Sequence, residues 1–432
     1  MKYRAFRKSI LVLGDVFLLF VSLYFALSLR WQKIISPHLF LRFTRHCLWL
    51  FLFWLFLLFI FDFYSFELRK SKSEFFRYFF IFIFLSLFFG IFYFYFFSNL
   101  AIAPKTILFL NIFIFSLFFL LWHLFFEWIF KKSAQEEKII LWGNPPEKDY
   151  LIGFLSNSKL SYDVVGNFDE KVSLNKIKKI AKENKLTRIV ISPEVKNFQE
   201  LFFLVPIVKI QSFSDFYEEI TKRVPLSSLQ DPNVLNGFLF EENSIYYTSK
   251  RIFDLVISLI GVLVFFILFP ILALAIKINS KGPVFFVQKR IGKGEKIFNS
   301  FKFRSMYVVN KSKDIWREKD KKEITAVGRF IRFTHIDELP QFLNILKGDL
   351  SIVGPRPEWE KLVKKYERAI PFYFLRHKAK PGFTGWAQIN YPPSLSIKEA
   401  EEKLEYDLYY IKKRSFFFDL FIFLKSLRKI FG

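Results

Sequence analysis

The chain has 432 residues, of which 53% are hydrophobic and 21% aromatic, with 63 phenylalanines and a formal net charge of +25. Apolar content on that scale excludes an ordinary soluble protein and predicts a membrane protein of two or three domains. With so much apolar sequence, the positive charge points to lipid head groups and phosphate-bearing substrates, not to nucleic acid.

Four apolar segments come first, at residues 9–29, 48–63, 79–97 and 107–130. Most approach the ~20 residues that a helix needs to cross the hydrocarbon core, and the short second one is expected to extend into its aromatic flanks. Basic residues precede the first segment, but no small-residue cleavage site follows it and further apolar segments do. It therefore reads as a membrane helix and not as a signal peptide. Lys2, Arg4, Arg7 and Lys8, then Arg69, Lys70, Lys72 and Arg77, then Lys131 and Lys132 mark cytoplasmic ends, while the connection after the third segment holds only Lys105. Arg30, Lys33, Arg42 and Arg45, between the first two segments, run against that pattern. Asp15 is a candidate functional residue by its position in a span, although it lies near the cytoplasmic end, where an interfacial placement accounts for it. Cys47, the single cysteine, allows no intrachain disulfide and no cysteine-rich metal site.

From Lys138 the pattern changes to alternating strand and helix. Strands are predicted at residues 139–142, 164–166 and 188–191, with a helix at 174–184, which suggests a small parallel sheet of Rossmann-like outline. After the first strand stands Gly143-Asn144-Pro145-Pro146, not G-x-G-x-x-G, and the two prolines remove backbone donors that a pyrophosphate would use. Residues 138–235 are therefore expected to form a degenerate, non-catalytic nucleotide-type (CoA-binding-like) domain. A linker is expected to follow, with 225–249 looking linker-like and 236–249 taken as its extent.

A fifth apolar segment, 252–276, contains Pro270 and has cations at both ends (Lys250 and Arg251, then Lys277 and Lys281). It lacks the charge asymmetry of a spanning helix, so it is predicted to enter the membrane, break at Pro270 and return to the same face.

Beyond it lies a basic, mixed α/β region. Gln288-Lys289-Arg290-Ile291-Gly292 reads as the end of a strand and a turn. In Phe301-Lys302-Phe303-Arg304-Ser305-Met306, alternation predicts that Lys302 and Arg304 share one strand face. Next come Arg332, the adjacent acids Asp337-Glu338 before Leu339-Pro340, and the stiff turn Gly354-Pro355-Arg356-Pro357. Lys380-Pro381-Gly382 and Glu405-Tyr406-Asp407 follow. Adjacent carboxylates repel unless a cation or metal faces them. A carboxylate nucleophile, a possible metal ligand and a fixed arginine are the parts that phosphoryl transfer needs. Residues 416–424 are apolar, too short to span and bracketed by cations, as in an interfacial helix.

From Lys250 onward these motifs, in this order, resemble the bacterial sugar transferase family, the polyprenyl-phosphate hexose-1-phosphate transferases. The amino-terminal half is similar to its long-form members. The resemblance implies a membrane α/β architecture: four transmembrane helices in 1–132, the Rossmann-like domain, and a mixed α/β catalytic domain in 250–432 with a re-entrant helix. It implies transfer of a sugar 1-phosphate from a UDP-sugar to undecaprenyl phosphate with Mg²⁺, initiating exopolysaccharide, O-antigen or capsule synthesis. Asp337 matches the nucleophile, Glu338 the Mg²⁺ ligand, and Arg356, held by Pro355 and Pro357, the phosphate-contacting arginine. Lys302, Arg332, Lys380 and Asp407 match further substrate-binding positions, and Arg304 joins them by its place on the Lys302 strand. The implied setting is the bacterial inner membrane with the catalytic domain toward the cytoplasm. Membrane lipid is the expected partner, a homodimer stays open, and no sugar is specified.

One rival is a membrane-anchored nucleotide-sugar dehydratase or epimerase, for which Tyr246 and Lys250 supply the Tyr-x-x-x-Lys spacing but the glycine loop is missing. A DxD glycosyltransferase has no Asp-x-Asp to use. An inactive scaffolding homologue would not need the intact Asp337-Glu338 pair.

Overall fold

The amino-terminal apolar segments form four helices, α1 (Lys2–Trp31), α2 (Pro37–Ile60), α3 (Lys72–Phe97) and α4 (Lys105–Lys131). The structure is a computed structural model that describes residues 2–64, 72–97, 105–131, 137–157, 162–183, 186–195, 208–238, 244–307, 324–392 and 396–428. Arg69, Lys70 and Lys132, used above for orientation, lie outside them. Among the described residues five helices are long and apolar enough to cross a membrane, these four and a fifth at Ser244–Asn279. The chain is a multi-pass membrane protein. Trp54, Phe115 and Phe119 are fully buried in the bundle, and rings such as Phe63 and Phe119 meet edge to face at 5.4 Å.

One expectation changes here. Proline at the first position, where its missing N–H costs no bond, lets α2 begin at Pro37. Arg42 and Arg45 therefore sit inside a helix and not in the connecting loop. Asp15 is fully buried between helices, with its Oδ2 3.2 Å from His123 Nε2 on α4.

The soluble sheet contains β1 (Glu137–Trp142), β2 (Tyr162–Phe168), β3 (Arg188–Ile191) and β4 (Lys209–Ser212), all parallel in the order β2-β1-β3-β4. α5 (Lys148–Asn157), α6 (Leu174–Glu183) and α7 (Phe213–Thr221) connect and cover it. Ile139 and Leu141 face one cluster and Ile140 and Trp142 another, so β1 is buried on both faces, as a central parallel strand must be. After β1, where a dinucleotide fold offers backbone donors, the buried Lys148 ammonium donates to the Gly143 and Phe168 carbonyls.

The described part of the linker-like stretch, residues 225–238 and 244–249, is folded, and residues 239–243 lie outside the described residues. Residues 226–230 form a 3-10 turn and α8 (Pro232–Asn236) follows, while Val224, Leu229 and Phe238 enter the core of the next domain. Polar composition hid three apolar anchors whose spacing follows no regular period.

α9 (Ser244–Asn279) is one continuous helix with Pro270 inside it, so the break expected at Pro270 is absent. The proline forfeits one backbone bond, to the Phe266 carbonyl, and the rest of the ladder carries the helix through. Lys250, Asp254, Ser258, Gly261, Phe265, Leu272 and Ile276 are buried against the following domain, and a Cβ at Gly261 would collide with the Phe342 ring. The opposite face exposes Ile252, Val256, Leu259, Leu263, Ile267, Ile271, Leu274 and Ile278.

Past α9, β5 (Phe285–Ile291) and β6 (Ile297–Phe303) form an antiparallel hairpin. Then come α10 (Ala326–Phe333), α11 (Gln341–Lys347), β7 (Ser351–Val353), α12 (Glu360–Ala369), β8 (Gly382–Thr384), α13 (Trp386–Asn390), α14 (Ile397–Lys413) and α15 (Phe416–Leu427), with β7 parallel to β8. Two docks join this domain to the rest. Glu405 of α14 accepts from Tyr217 Oη at 3.0 Å and Arg223 Nε at 2.6 Å. Asp62, after α2, pairs with Lys425 and, at 2.8 Å, Arg428 beside α15.

Candidate active site

Three separate stretches build the site around Asp337 and Glu338. Thr325 caps α10 by accepting from the Gly328 amide at 2.8 Å. That seats α10 so that Arg332 Nε donates to Ser305 Oγ at 2.7 Å, just past β6. The chain then reverses through His335, whose left-handed backbone (φ 57°) is a strained conformation, into the 3-10 turn Ile336–Glu338. β6 supplies Lys302, which pairs with Glu338 Oε1; Arg356 reaches the same oxygen at 3.5 Å.

The turn carrying Arg356 is fixed from behind. The Pro355 carbonyl accepts from the Gly382 amide at 2.9 Å, the Pro357 carbonyl from Arg290, and the Arg356 carbonyl from Arg376 at 2.9 Å. Gly354 and Gly382 cross backbone to backbone, and a Cβ on either would overlap the other strand's main chain. Arg356 therefore projects from a turn whose three consecutive carbonyls are all bonded, so little entropy is lost when its guanidinium binds.

The two carboxyls titrate in opposite directions. Burial works to raise Glu338, but Lys302 and then Arg356 outweigh it and hold the group at about 2. For Asp337 burial comes first and Glu338 adds repulsion; Lys302, Arg332 and His335 oppose them, and the net shift is upward. Only 8% of Asp337 is exposed, which leaves it reachable from a limited direction. The result is one firmly anionic acid held by cations beside a second acid that is the more basic of the two.

Lys302, Arg332, Asp337, Glu338 and Arg356 thus come together, and three predicted residues do not join them. Arg304 follows the end of β6 and turns away from Lys302. It donates to the Ser280 carbonyl at 2.7 Å, Ser280 Oγ at 2.9 Å and the Lys281 carbonyl at 3.0 Å, where the unpaired carbonyls closing α9 attract a cation. Asp407 is fully buried behind the Arg356 turn, paired with Arg376 at 2.8 Å. Lys380 lines a different cavity, with Lys250, Arg251 and Lys293. Two residues that brace the turn were given no role in the sequence: Arg290, although it stands in the Gln288–Gly292 motif, and Arg376, which stands in none, since both act through the carbonyls they reach. The Tyr246–Lys250 spacing of the dehydratase reading is spent on structure: both side chains donate to Asp419, at 3.0 and 2.7 Å.

No group of three or more metal-ligating side chains occurs among the described residues. The adjacent carboxyls of Asp337 and Glu338 are donors of the kind Mg²⁺ takes when substrate phosphates and water complete its shell, with Lys302 and Arg356 on Glu338 Oε1 in this structure.

A bacterial sugar transferase family profile matches residues 245–432. The Bacillus subtilis (strain 168) sugar transferase EpsL is 45% identical over 187 residues, 42% of this chain and 86% of that one. A UDP-N-acetylgalactosamine-undecaprenyl-phosphate N-acetylgalactosaminephosphotransferase of Aeromonas hydrophila is 39% identical over 227 residues, 52% of each chain. A UDP-glucose:undecaprenyl-phosphate glucose-1-phosphate transferase of Escherichia coli (strain K12) is 41% identical over 185 residues, 42% of this chain and 40% of that one. The match thus spans about half the length, or less, of these two longer relatives. EpsL, by contrast, is covered over most of its length, and the residues matched by the family profile include every residue of the Asp337–Glu338 site. The chain belongs to the bacterial sugar transferase family.

Proposed function

We propose that this protein transfers a sugar 1-phosphate from a UDP-sugar to undecaprenyl phosphate, the first step of assembling an exopolysaccharide, O-antigen or capsule. The observation that carries the reading is the unequal acid pair: Glu338 clamped by Lys302 and Arg356 beside Asp337, whose higher affinity for protons makes it the better nucleophile. A carboxylate oxygen of Asp337 attacks the sugar-proximal phosphorus, and the phosphoanhydride bond breaks with its electron pair leaving on UMP. A phosphate oxygen of the acceptor lipid then attacks the same phosphorus, forming the polyprenyl diphosphate sugar and returning Asp337 as a carboxylate. Lys302, Arg332 and Arg356 neutralise the phosphoryl oxygens and fix their position, which is most of what such a reaction asks of a protein. Glu338 would hold Mg²⁺ with substrate phosphates, and the ion supplies further charge neutralisation when bound. The names of the relatives, which specify undecaprenyl phosphate and UDP-sugars, support these substrates.

We also propose that the catalytic domain faces the cytoplasm at the inner membrane and that α9 is embedded there without crossing. In support, the same soluble domain packs along both halves of α9. Asp254 accepts from Ser351 and Ile352, and Arg304 donates to the carbonyls after Ile276. The test of the chemistry is UMP release from a panel of UDP-sugars, with and without undecaprenyl phosphate, using radiolabelled sugar. Without acceptor the label should remain on the protein, and Asp337→Asn should abolish it. Wild-type turnover by Asp337→Asn would end this mechanism.

A further inference from the structure

A second cavity of about 260 Å³ lies under the amino-terminal turns of α9, and its lining includes none of Lys302, Asp337, Glu338 or Arg356. Among the described residues five cations converge on it, Lys250, Arg251, Lys293, Lys380 and Arg414, against one lining acid, Asp254. Lys293 is not free, and three more of these residues are committed. Lys250 pairs with Asp419 at 2.7 Å, Arg251 donates to the Ile345 and Leu346 carbonyls at 2.8 and 2.7 Å, and Asp254 accepts from Ser351 and Ile352. Lys380 and Arg414 have no acid partner within ion-pair distance among the described residues. Burial and the positive field of Arg251 hold the Lys380 ammonium below its usual pKa.

Tyr247 stands at the centre. Lys293 and Arg414 both lie over its ring, at 5.0 and 5.4 Å, and its buried hydroxyl has no hydrogen-bond partner among the described residues. An uncommitted donor beside Lys380 and Arg414 is a receptor for an anion with acceptor oxygens. The volume is smaller than the ~300–1,000 Å³ typical of small-molecule sites, so it suits a phosphate head and not a whole nucleotide sugar. A neighbouring open recess of about 430 Å³, lined by Ser244, Thr248 and Ile252, shares Tyr247 and Arg251 with it. That recess leads onto the exposed apolar face of α9, with Ile245 81% and Ile252 58% exposed.

We propose that this cavity binds the phosphate of an anionic bilayer phospholipid, with the acyl chains along the outer face of α9, as a lipid anchor separate from the transfer centre. A reacting acceptor must bring its phosphate to Asp337, and the described lining of this cavity includes neither Asp337 nor any other residue of that site. The inference rests on α9 lying in the membrane and does not depend on the transfer chemistry.

The experiment uses the full chain, delipidated in neutral detergent and titrated with phosphatidylglycerol, phosphatidylcholine, undecaprenyl phosphate or inorganic phosphate. Wild type should bind phosphatidylglycerol at least tenfold more tightly than phosphatidylcholine. Lys293→Gln with Arg414→Gln should lose that preference, and Tyr247→Phe, which keeps the ring and both charges, should weaken it about three- to tenfold, the value of one hydrogen bond. The surface control Lys364→Gln should change nothing. Labelling of Asp337 by UDP-sugar in the absence of acceptor should persist in Tyr247→Phe, which separates failure of this inference from failure of the proposed reaction. Equal affinity for the two phospholipids, or unchanged binding in Tyr247→Phe and in the double variant, overturns the inference. So does tight binding of inorganic phosphate alone, and so does a loss confined to undecaprenyl phosphate, which would make the cavity part of the transfer centre.

Discussion

Asp337 and Glu338 are adjacent in sequence and equivalent in composition, yet the fold separates their roles. Lys302 and Arg356 both converge on Glu338 Oε1, while Asp337 keeps burial as its main influence. The sign for activity follows directly. In the proposed reaction Asp337 must be ionised to attack, so covalent labelling should fall as pH drops through its raised pKa. Lys302 is the strongest influence lowering that pKa, so Lys302→Met should move the acid limb to higher pH and reduce the plateau on the order of 10²-fold, the scale of one lost electrostatic stabiliser. A pH–rate profile of labelling checks this, and an acid limb that stays in place would remove Lys302 from the account. Glu338 stays charged until pH falls toward 2, so its own titration should not be visible at ordinary pH.

The Gly354–Pro357 turn behaves as one element because each of its brackets comes from a different part of the chain. Arg376 is the innermost: one nitrogen serves both the Arg356 carbonyl, at 2.9 Å, and Asp407, at 2.8 Å, and another serves Tyr373. Replacing Arg376 by Met leaves Asp407 buried without its partner, a change that ordinarily costs about 3–5 kcal/mol. Asp407→Asn with Arg376→Met removes the orphaned charge and should fold better than Arg376→Met alone. Both variants should raise the KM for UDP-sugar at least tenfold, because Arg356 is no longer held in place; steady-state kinetics on folded protein read this. A KM that stays at the wild-type value would show that the prolines suffice.

At the scale of the molecule, α9 links membrane and catalytic domain, and its topology decides whether Asp337 meets a cytoplasmic substrate. With Cys47 replaced, single cysteines at Ser244 and Lys281, both exposed positions, should resist an impermeant thiol reagent in intact cells and react in inverted vesicles. Labelling of Lys281→Cys alone from outside would make α9 an ordinary crossing helix. The sequence by itself determined the membrane segments, the parallel sheet and the acid pair. These depend on long apolar runs, on period-two and period-three-to-four patterns, and on motifs contiguous in the chain, all of which are local. Pro270 was a local signal that misled, since a single lost bond did not break a helix packed along its whole length. Only the tertiary structure decided that Arg304 closes a helix, that Lys380 belongs to a separate cavity, that Asp15 is buried beside His123, and that residues 226–238 are core. Each of these turns on a partner 20 to more than 100 residues away, and the nature of that partner, whether carbonyl, carboxylate or apolar surface, leaves no mark on the residue's own neighbours in the sequence.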